Sequence, residues 1–291
     1  MAAAIEIKNL IKHFGKVKAV DGVDLSVEKG EIFGFLGPNG AGKTTTIRCM
    51  MDFIRPSVGE IKILGKSAQR DSTDLKKEIG YLPGNARLYE HWSGKDHIQF
   101  YKAFHGNIEV ANQLAGQLDL DLKIRFKNLS SGNKQKLALI LSLMKEPKVL
   151  ILDEPTVSLD PLLQNTVHGL LKEYQEKGTT IFVSSHNLSE VDQICNRVGI
   201  IKDGKIIATE DVKGLKAKRM HTITVYFADG VEKSTFKMPE IHKIREINKG
   251  LIIEVKGDIN PILAQITKYP VRDIEITHAT LEEIFLEFYQ R

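Results

Sequence analysis

The sequence predicts an α/β protein: a parallel sheet covered on both faces by helices, with an antiparallel β subdomain, a helical subdomain and a small α+β C-terminal domain. Three observations predict it. Short apolar runs at residues 32–36, 149–152 and 181–183 are each followed by helix-compatible sequence, which is the pattern of strands buried on both faces. Residues 88–145 carry helix candidates and little strand signal. Around 210–220 the chain turns basic and loses its apolar periodicity, then resumes with further strand candidates.

Taken in order, residues 5–7 and 23–27 alternate apolar and polar, as half-buried antiparallel strands do. The strand at 32–36 runs into a Gly-rich loop and a helix expected over 43–53. Helices are expected at 94–104 and 108–120 within the helical subdomain, about residues 88–145, and at 134–144. The first domain is placed at residues 1–215 and the second at 216–291. The second holds strand candidates at 222–226, 251–255 and 271–276 and closes with a helix. Thr280 and Glu283 have capping-box spacing, and Leu281, Ile284, Phe285 and Phe288 share one helical face. That stripe reads as core packing or as a partner-docking face.

Composition narrows the class. With 42% hydrophobic and 27% charged residues, the 291-residue chain reads as globular. Its longest apolar stretch, residues 137–144, falls far short of the ~20 residues of a membrane span. The first residues carry neither a basic nor an apolar leader region. Cys49 and Cys195 lie far apart without metal-ligand spacing, which fits a reducing, cytosolic compartment and no zinc site. A net charge of +4 is too small a bias to argue for nucleic acid, so no nucleic-acid partner is expected. Lys213, Lys216, Lys218 and Arg219 form one basic cluster, read as a solvated linker or a lipid-headgroup or nucleic-acid contact.

The chemistry begins at Gly37-Pro38-Asn39-Gly40-Ala41-Gly42-Lys43-Thr44-Thr45. A strand, this loop and a helix form the context in which G-x-x-x-x-G-K-T cradles phosphates. Glycines let backbone N–H groups approach phosphate oxygens, and the helix N-terminus adds partial positive charge. Lys43 supplies a full charge to the β- and γ-phosphates, Thr44 a hydroxyl for Mg²⁺, and Thr45 a reach to a further phosphate oxygen. Asp153 and Glu154 end an apolar run. Two acids at a buried strand end are costly unless they meet a cation. Asp153 is the natural second partner of Mg²⁺, which leaves Glu154 to orient and deprotonate a water. His186 ends the run at 181–185, and parallel strands share one crevice at their C-terminal ends, so His186 is a candidate for the same γ-phosphate. Leu129-Ser130-Ser131-Gly132-Asn133 opens a helix and makes a second anion-binding surface. With one phosphate loop already present, that surface suits the nucleotide of another copy.

These motifs, in this order over residues ~4–210, resemble the nucleotide-binding subunit of ABC transporters, which have a P-loop NTPase core. The signature Leu-Ser-Gly-Gly-Gln is matched by residues 129–133 with Ser131 for the first Gly and Asn133 for Gln. Walker A matches at 37–45, Walker B at 149–154, the D-loop at 157–160 and the switch histidine at His186. The adenine-stacking aromatic corresponds to Phe14, with Val20 packing against the base. Residues 79–83 and 277–285 resemble ABC-2-type exporter ATPases. The resemblance implies ATP and Mg²⁺, hydrolysis coupled to transport, and a head-to-tail dimer. In that dimer Ser130, Ser131 and Gly132 touch the partner's γ-phosphate and Asp160 lines the interface. It also implies an integral membrane permease docked near Leu88, Tyr89 and Trp92, with this chain peripheral on the cytoplasmic face. The Q-loop position falls at Gly84, which has no side chain for the metal or the water; water or backbone movement is left to replace it. A non-transport ABC ATPase and a regulatory nucleotide-binding module are the alternatives. The former usually carries two ATP-binding halves, long coiled coils or zinc cysteines, none of which this sequence shows.

Overall fold

In the computed structural model, residues 3–104, 106–212, 214 and 220–278 are described. The chain divides into two compact units, Met1–Glu210 and Asp211–Arg291, so the division falls five residues before the expected boundary. The basic cluster and the expected closing helix, with its apolar stripe, lie outside the described residues.

In the first unit, β1 (Ala3–Phe14), β2 (Val17–Glu28), β4 (Val58–Ile63) and β5 (Lys66–Ser67) form an antiparallel sheet in the order β2-β1-β4-β5. Both long strands extend well beyond the alternating stretches of sequence that predict them. The main sheet has the order β10-β9-β3-β8-β7-β6, with β3 at Ile32–Leu36, β6 at Ile79–Leu82, β7 at Val149–Asp153, β8 at Thr180–Ser185, β9 at Arg197–Lys202 and β10 at Lys205–Asp211. Strands β9, β3, β8, β7 and β6 are parallel. Strands β3, β7 and β8 are buried throughout, which is why they read as unbroken apolar runs. Phe182 packs with Phe33 and Phe35 at ring-centroid distances of 6.0 and 5.3 Å.

Helix α1 (Lys43–Met50) follows β3 and stops three residues before the expected end. The chain there turns through Asp52 at φ 56°. Helix α2 spans Ser72–Glu78. The helical subdomain holds α3 (Gly94–Lys102), α4 (Ile108–Gln117) and α5 (Ser131–Leu143). A capping box between Ser93 and Asp96 starts α3, and Asn107 caps α4. Helix α6 (Pro161–Glu176) is capped by Asp160, whose Oδ1 accepts from the Leu163 N–H at 2.9 Å. Helix α7 (Leu188–Ile194) follows β8. Among the described residues no helix is long and apolar enough to cross a membrane.

The second unit is an antiparallel sheet in the order β12-β13-β11-β14, from β11 (Met220–Phe227), β12 (Ile241–Ile247), β13 (Gly250–Lys256) and β14 (Val271–His278), with α8 at Asn260–Ile266. Its core gathers Ile223, Val225, Phe227, Leu251, Ile253 and Val255 with Ile262 and Ile266 of α8.

Candidate functional site

The parallel strands β3, β7 and β8 end at one edge of the main sheet, and a cleft of about 380 Å³ opens there. Pro38, Asn39, Gly40, Gly42, Lys43, Thr44, Thr45, Asp153, Glu154 and His186 all line it, together with Ala19, Gly84 and Val157. The chain thus brings the loop, both carboxylates and the histidine together from three strand ends.

Gly42 is the N-cap of α1 and offers no side chain. Lys43, Thr44 and Thr45 occupy its first turn, where N–H groups have no intrahelical acceptor, so these donors are left for an anion. Lys43 is buried, and its Nζ donates to the carbonyls of Gly37 at 2.6 Å and Pro38 at 3.2 Å. The same ammonium lies 3.2 Å from Glu154 Oε1. Its three donors therefore have three oxygen partners, and phosphate oxygens are the ligands suited to replace them. Gly37 and Ala41 are buried in the loop wall and do not line the cleft. A Cβ at Gly37 would lie 2.4 Å from the Ile201 carbonyl.

Asp153 is buried with both oxygens occupied. Oδ1 accepts from Ser184 Oγ at 2.5 Å, and Oδ2 accepts from Thr44 Oγ1 at 2.9 Å. Burial and the Asp153 charge push the Tyr81 hydroxyl up to about 12. Glu154 sits one residue on in the left-handed region, φ 53°, a conformation worth about 1–3 kcal/mol of strain. Oε1 faces Lys43, and Oε2 accepts from His186 Nδ1 at 2.7 Å. The arrangement is a chain of lysine, carboxylate and imidazole across the cleft, beside a hydroxyl–carboxylate pair. Such oxygens suit a hard cation that keeps much of its water, as Mg²⁺ does. Gly84 adds no donor, and a Cβ there would lie 3.5 Å from Asp153 Oδ2.

The remaining sequence-predicted residues lie elsewhere. Ser130, Ser131, Gly132 and Asp160 are absent from the cleft lining. Ser130 caps α5, its Oγ accepting from the Asn133 N–H at 3.3 Å, so the hydroxyl hydrogen stays available. Gly132 abuts the Val157–Asp160 turn: a Cβ on it would lie 3.0 Å from the Ser158 carbonyl. Phe14 is 51% exposed at the end of β1, with Lys12 Nζ 4.9 Å from its ring centroid. Val20 requires a correction. It is fully buried in the hydrophobic core and has no surface to offer a base. Its neighbour Ala19 lines the cleft instead, because adjacent strand residues face opposite sides.

Three contributors escaped the sequence reading. Ser184 holds Asp153, and Gln135 of α5 donates to the Glu154 and Pro155 carbonyls at 3.4 and 3.2 Å. Glu190 of α7 is buried behind the site. Only Ser184 left a signal, a hydroxyl directly after the apolar run Ile181–Val183.

Known proteins resemble this architecture. The family model described as ABC transporter matches residues 20–157. The ABC transporter ATP-binding protein YhcH of Bacillus subtilis is 33% identical over 298 residues, covering 99% of this chain and 96% of that protein. The bacitracin transport ATP-binding protein BcrA of Bacillus licheniformis is 31% identical over 306 residues, with 99% and 96% covered. A solved ATP-binding subunit of an ABC transporter shares 26% identity at a TM-score of 0.69, covering 73% of this chain and 92% of that one. A dimeric ATP-binding cassette bound to ADP and phosphate has the same fold at 23% identity and a TM-score of 0.66, covering 72% of this chain and 98% of that one. With the phosphate loop, the paired carboxylates and the histidine in one cleft, the chain belongs to the ABC transporter family of ATP-binding proteins.

Proposed function

We propose that this chain is the ATP-hydrolysing subunit of an ABC-2-type exporter, working as a head-to-tail dimer beneath a separate membrane permease, on its cytoplasmic side. The observation that carries the reading is the Lys43–Glu154–His186 chain in the phosphate-loop cleft. Lys43 and the first-turn N–H groups hold the β- and γ-phosphates. Glu154 takes the proton of the attacking water, and His186 holds Glu154 in place and reaches toward the γ-phosphate. Thr44 and Asp153 hold Mg²⁺, which when bound neutralises phosphate charge. Phe14 offers the adenine its free ring face. Ser130, Ser131 and Gly132, with Asp160 at the end of the turn that Gly132 abuts, complete the site of the facing copy. Relatives named for bacitracin transport and daunorubicin resistance support an export role.

The test is Mg²⁺-dependent ATP turnover by the purified chain, followed across dilution with light scattering. Specific activity is expected to fall as dimer is lost. Full turnover by a monomeric chain would refute the two-copy site, and no turnover at any concentration would refute hydrolysis. Isolation of the tagged chain from membranes should bring a multi-span permease with it.

A further inference from the structure

Behind the cleft, a second carboxylate is buried that the reaction does not touch. Glu190 of α7 is 4% exposed. Its Oε2 accepts from Ser185 Oγ at 2.6 Å, and its Oε1 accepts from Thr156 Oγ1 at 2.9 Å. His168 Nε2 of α6 lies 3.6 Å from Oε1, while its Nδ1 meets Gln193 Oε1 at 2.9 Å.

Two of the three segments meeting on this carboxylate carry the reactive groups. Ser185 directly precedes His186. Its hydroxyl also accepts from the Asn187 N–H at 2.9 Å, closing the turn around the histidine. Thr156 is two residues past Glu154, in the turn that begins with the left-handed Glu154 and runs to Ser158, also at positive φ. His168 stands on the helix that Asp160 caps. A carboxylate oxygen in a dry site has a strong demand for donors, and losing one leaves an unmet acceptor. Glu190 therefore locks two turns to one another through short hydroxyl bonds. On the cleft side of those same turns, Glu154 and His186 meet at 2.7 Å.

We infer that Glu190 is a positioning residue for hydrolysis: it sets the Glu154–His186 pair by tying the turn after β7 and the turn after β8 to one buried anchor. The inference rests on the roles proposed above for Glu154 and His186. It predicts a specific kinetic signature. The donors proposed to hold phosphate, Lys43 Nζ and the first-turn N–H groups, come from α1 and not from the anchored turns, so nucleotide affinity stays while the rate falls. A displacement of about 1 Å at reacting groups costs on the order of 10²-fold.

The experiment compares E190A and E190Q with the parent in the full chain, measuring kcat, KM for ATP, affinity for a fluorescent ATP analogue, and thermal unfolding. E190A is expected to lose roughly 10- to 100-fold in kcat with KM and affinity within threefold. E190Q retains an acceptor oxygen, and the hydroxyls can rotate to meet its amide, so most of the rate should return. In an H186A background the E190A change should cost under threefold, because residues acting as one unit are not additive. If E190A does not fold, T156V and S185A each remove one arm, and each is expected to lower kcat at constant KM. Parent-like kcat in the folded E190A chain, or in both T156V and S185A, overturns the inference. So does a rate loss that merely follows lost affinity, or a full additional loss in the H186A background. Parent-like turnover in E154Q and H186A would instead sink the catalytic reading itself, so the two failures are distinguishable.

Discussion

Gly42→Ala tests the phosphate loop most directly, because two separate costs can be read from its geometry. Gly42 sits at φ 113°, where an L-residue carries about 1–3 kcal/mol of strain. The added Cβ would also lie 2.5 Å from the Ala19 carbonyl oxygen and 3.1 Å from Ile201 Cδ1. An ordinary carbon–oxygen contact starts near 3.3 Å, so loop and strand must part by close to 1 Å. Ala19 cannot yield cheaply, because both its neighbours are paired with β1, Lys18 with His13 and Val20 with Lys12. If the loop relaxes to relieve the clash, its N–H groups leave the phosphates. Where the free loop relaxes and binding must restore this dihedral, that strain lowers ATP affinity roughly 5- to 150-fold, at about 1.4 kcal/mol per tenfold, and the backbone contact adds to it. Gly40→Ala is the control. Gly40 also has positive φ, 83°, but a Cβ there meets nothing within 4 Å. It should show the dihedral cost alone, with Gly42→Ala at least about tenfold weaker still. The assay is titration of a fluorescent ATP analogue, with a thermal melt in parallel. A shift of about 2–4 °C per kcal/mol is expected for a unit of this size. Equal affinities for the two variants would refute the contact argument, and parent-like affinity in both would refute the role of the loop.

Other perturbations follow from the same geometry. Glu154→Gln keeps the shape of the side chain but cannot take a proton, so kcat should fall about 10²–10⁴-fold while ATP-bound dimer accumulates on size exclusion; parent-like turnover would remove Glu154 from the base role. Gly84→Gln fits with shifts of only a few tenths of an ångström, its Cβ 3.3 Å from the Asp153 carbonyl, and should reduce the Mg²⁺ needed for half-maximal turnover several-fold; an unchanged Mg²⁺ curve would argue that position 84 does not bear on the metal. Burial holds the His97 imidazole below its ordinary value of 6.5, so its folded form stays neutral while the unfolded chain takes up a proton. Its contribution is therefore fully present above pH 6.5 and declines as pH falls below that value, by up to about 1.4 kcal/mol per pH unit. Melts from pH 7.5 to 5.5 should show a steeper decline in the parent than in His97→Gln. Burial pushes the Cys49 thiol up to about 11 and the Cys195 thiol well above its usual range; iodoacetamide at pH 8 should spare both in the folded chain and label both in denaturant, as read by mass spectrometry.

What could be read in the sequence depended on whether a signal was local. Lys43 to Thr45, Asp153, Glu154 and His186 stand at strand ends, and a parallel sheet places strand ends together whatever the loops do. Val20 was misplaced because facing along β2 is decided by bulges. Gly22 at φ 86° and the register shifts against β1 interrupt the alternation there, and a one-residue slip exchanges core and cleft. Strand β12 escaped because its burial runs i-e-e-i-e-e-i, an edge strand with no period of two. Glu190 and Gln135 were illegible for another reason. Their partners, Thr156, Ser185 and the carbonyls of Glu154 and Pro155, come from other segments, and no spacing within α7 or α5 announces them.

That division between local and assembled features runs through the site itself. The grip is local: α1 presents Lys43 and Thr44 directly after β3, and Asp153 arrives from the next strand but one. The trigger is assembled. Glu154 is aimed by a strained turn that Glu190 anchors from behind and that Gln135 holds through two carbonyls. Gln135 lies on the helix that Ser130 caps, and the same helix start abuts Ser158. In the proposed dimer a facing nucleotide pulls on Ser130 to Gly132. Any shift of α5 then reaches the Glu154 turn through Gln135, whereas Lys43 is held by the Gly37 and Pro38 carbonyls and has no bond to α5. Position 84 supplies no side chain to sense the facing copy. In that proposed dimer α5 is the link between the two halves of the site, and Gln135→Ala should weaken turnover while leaving ATP affinity in place.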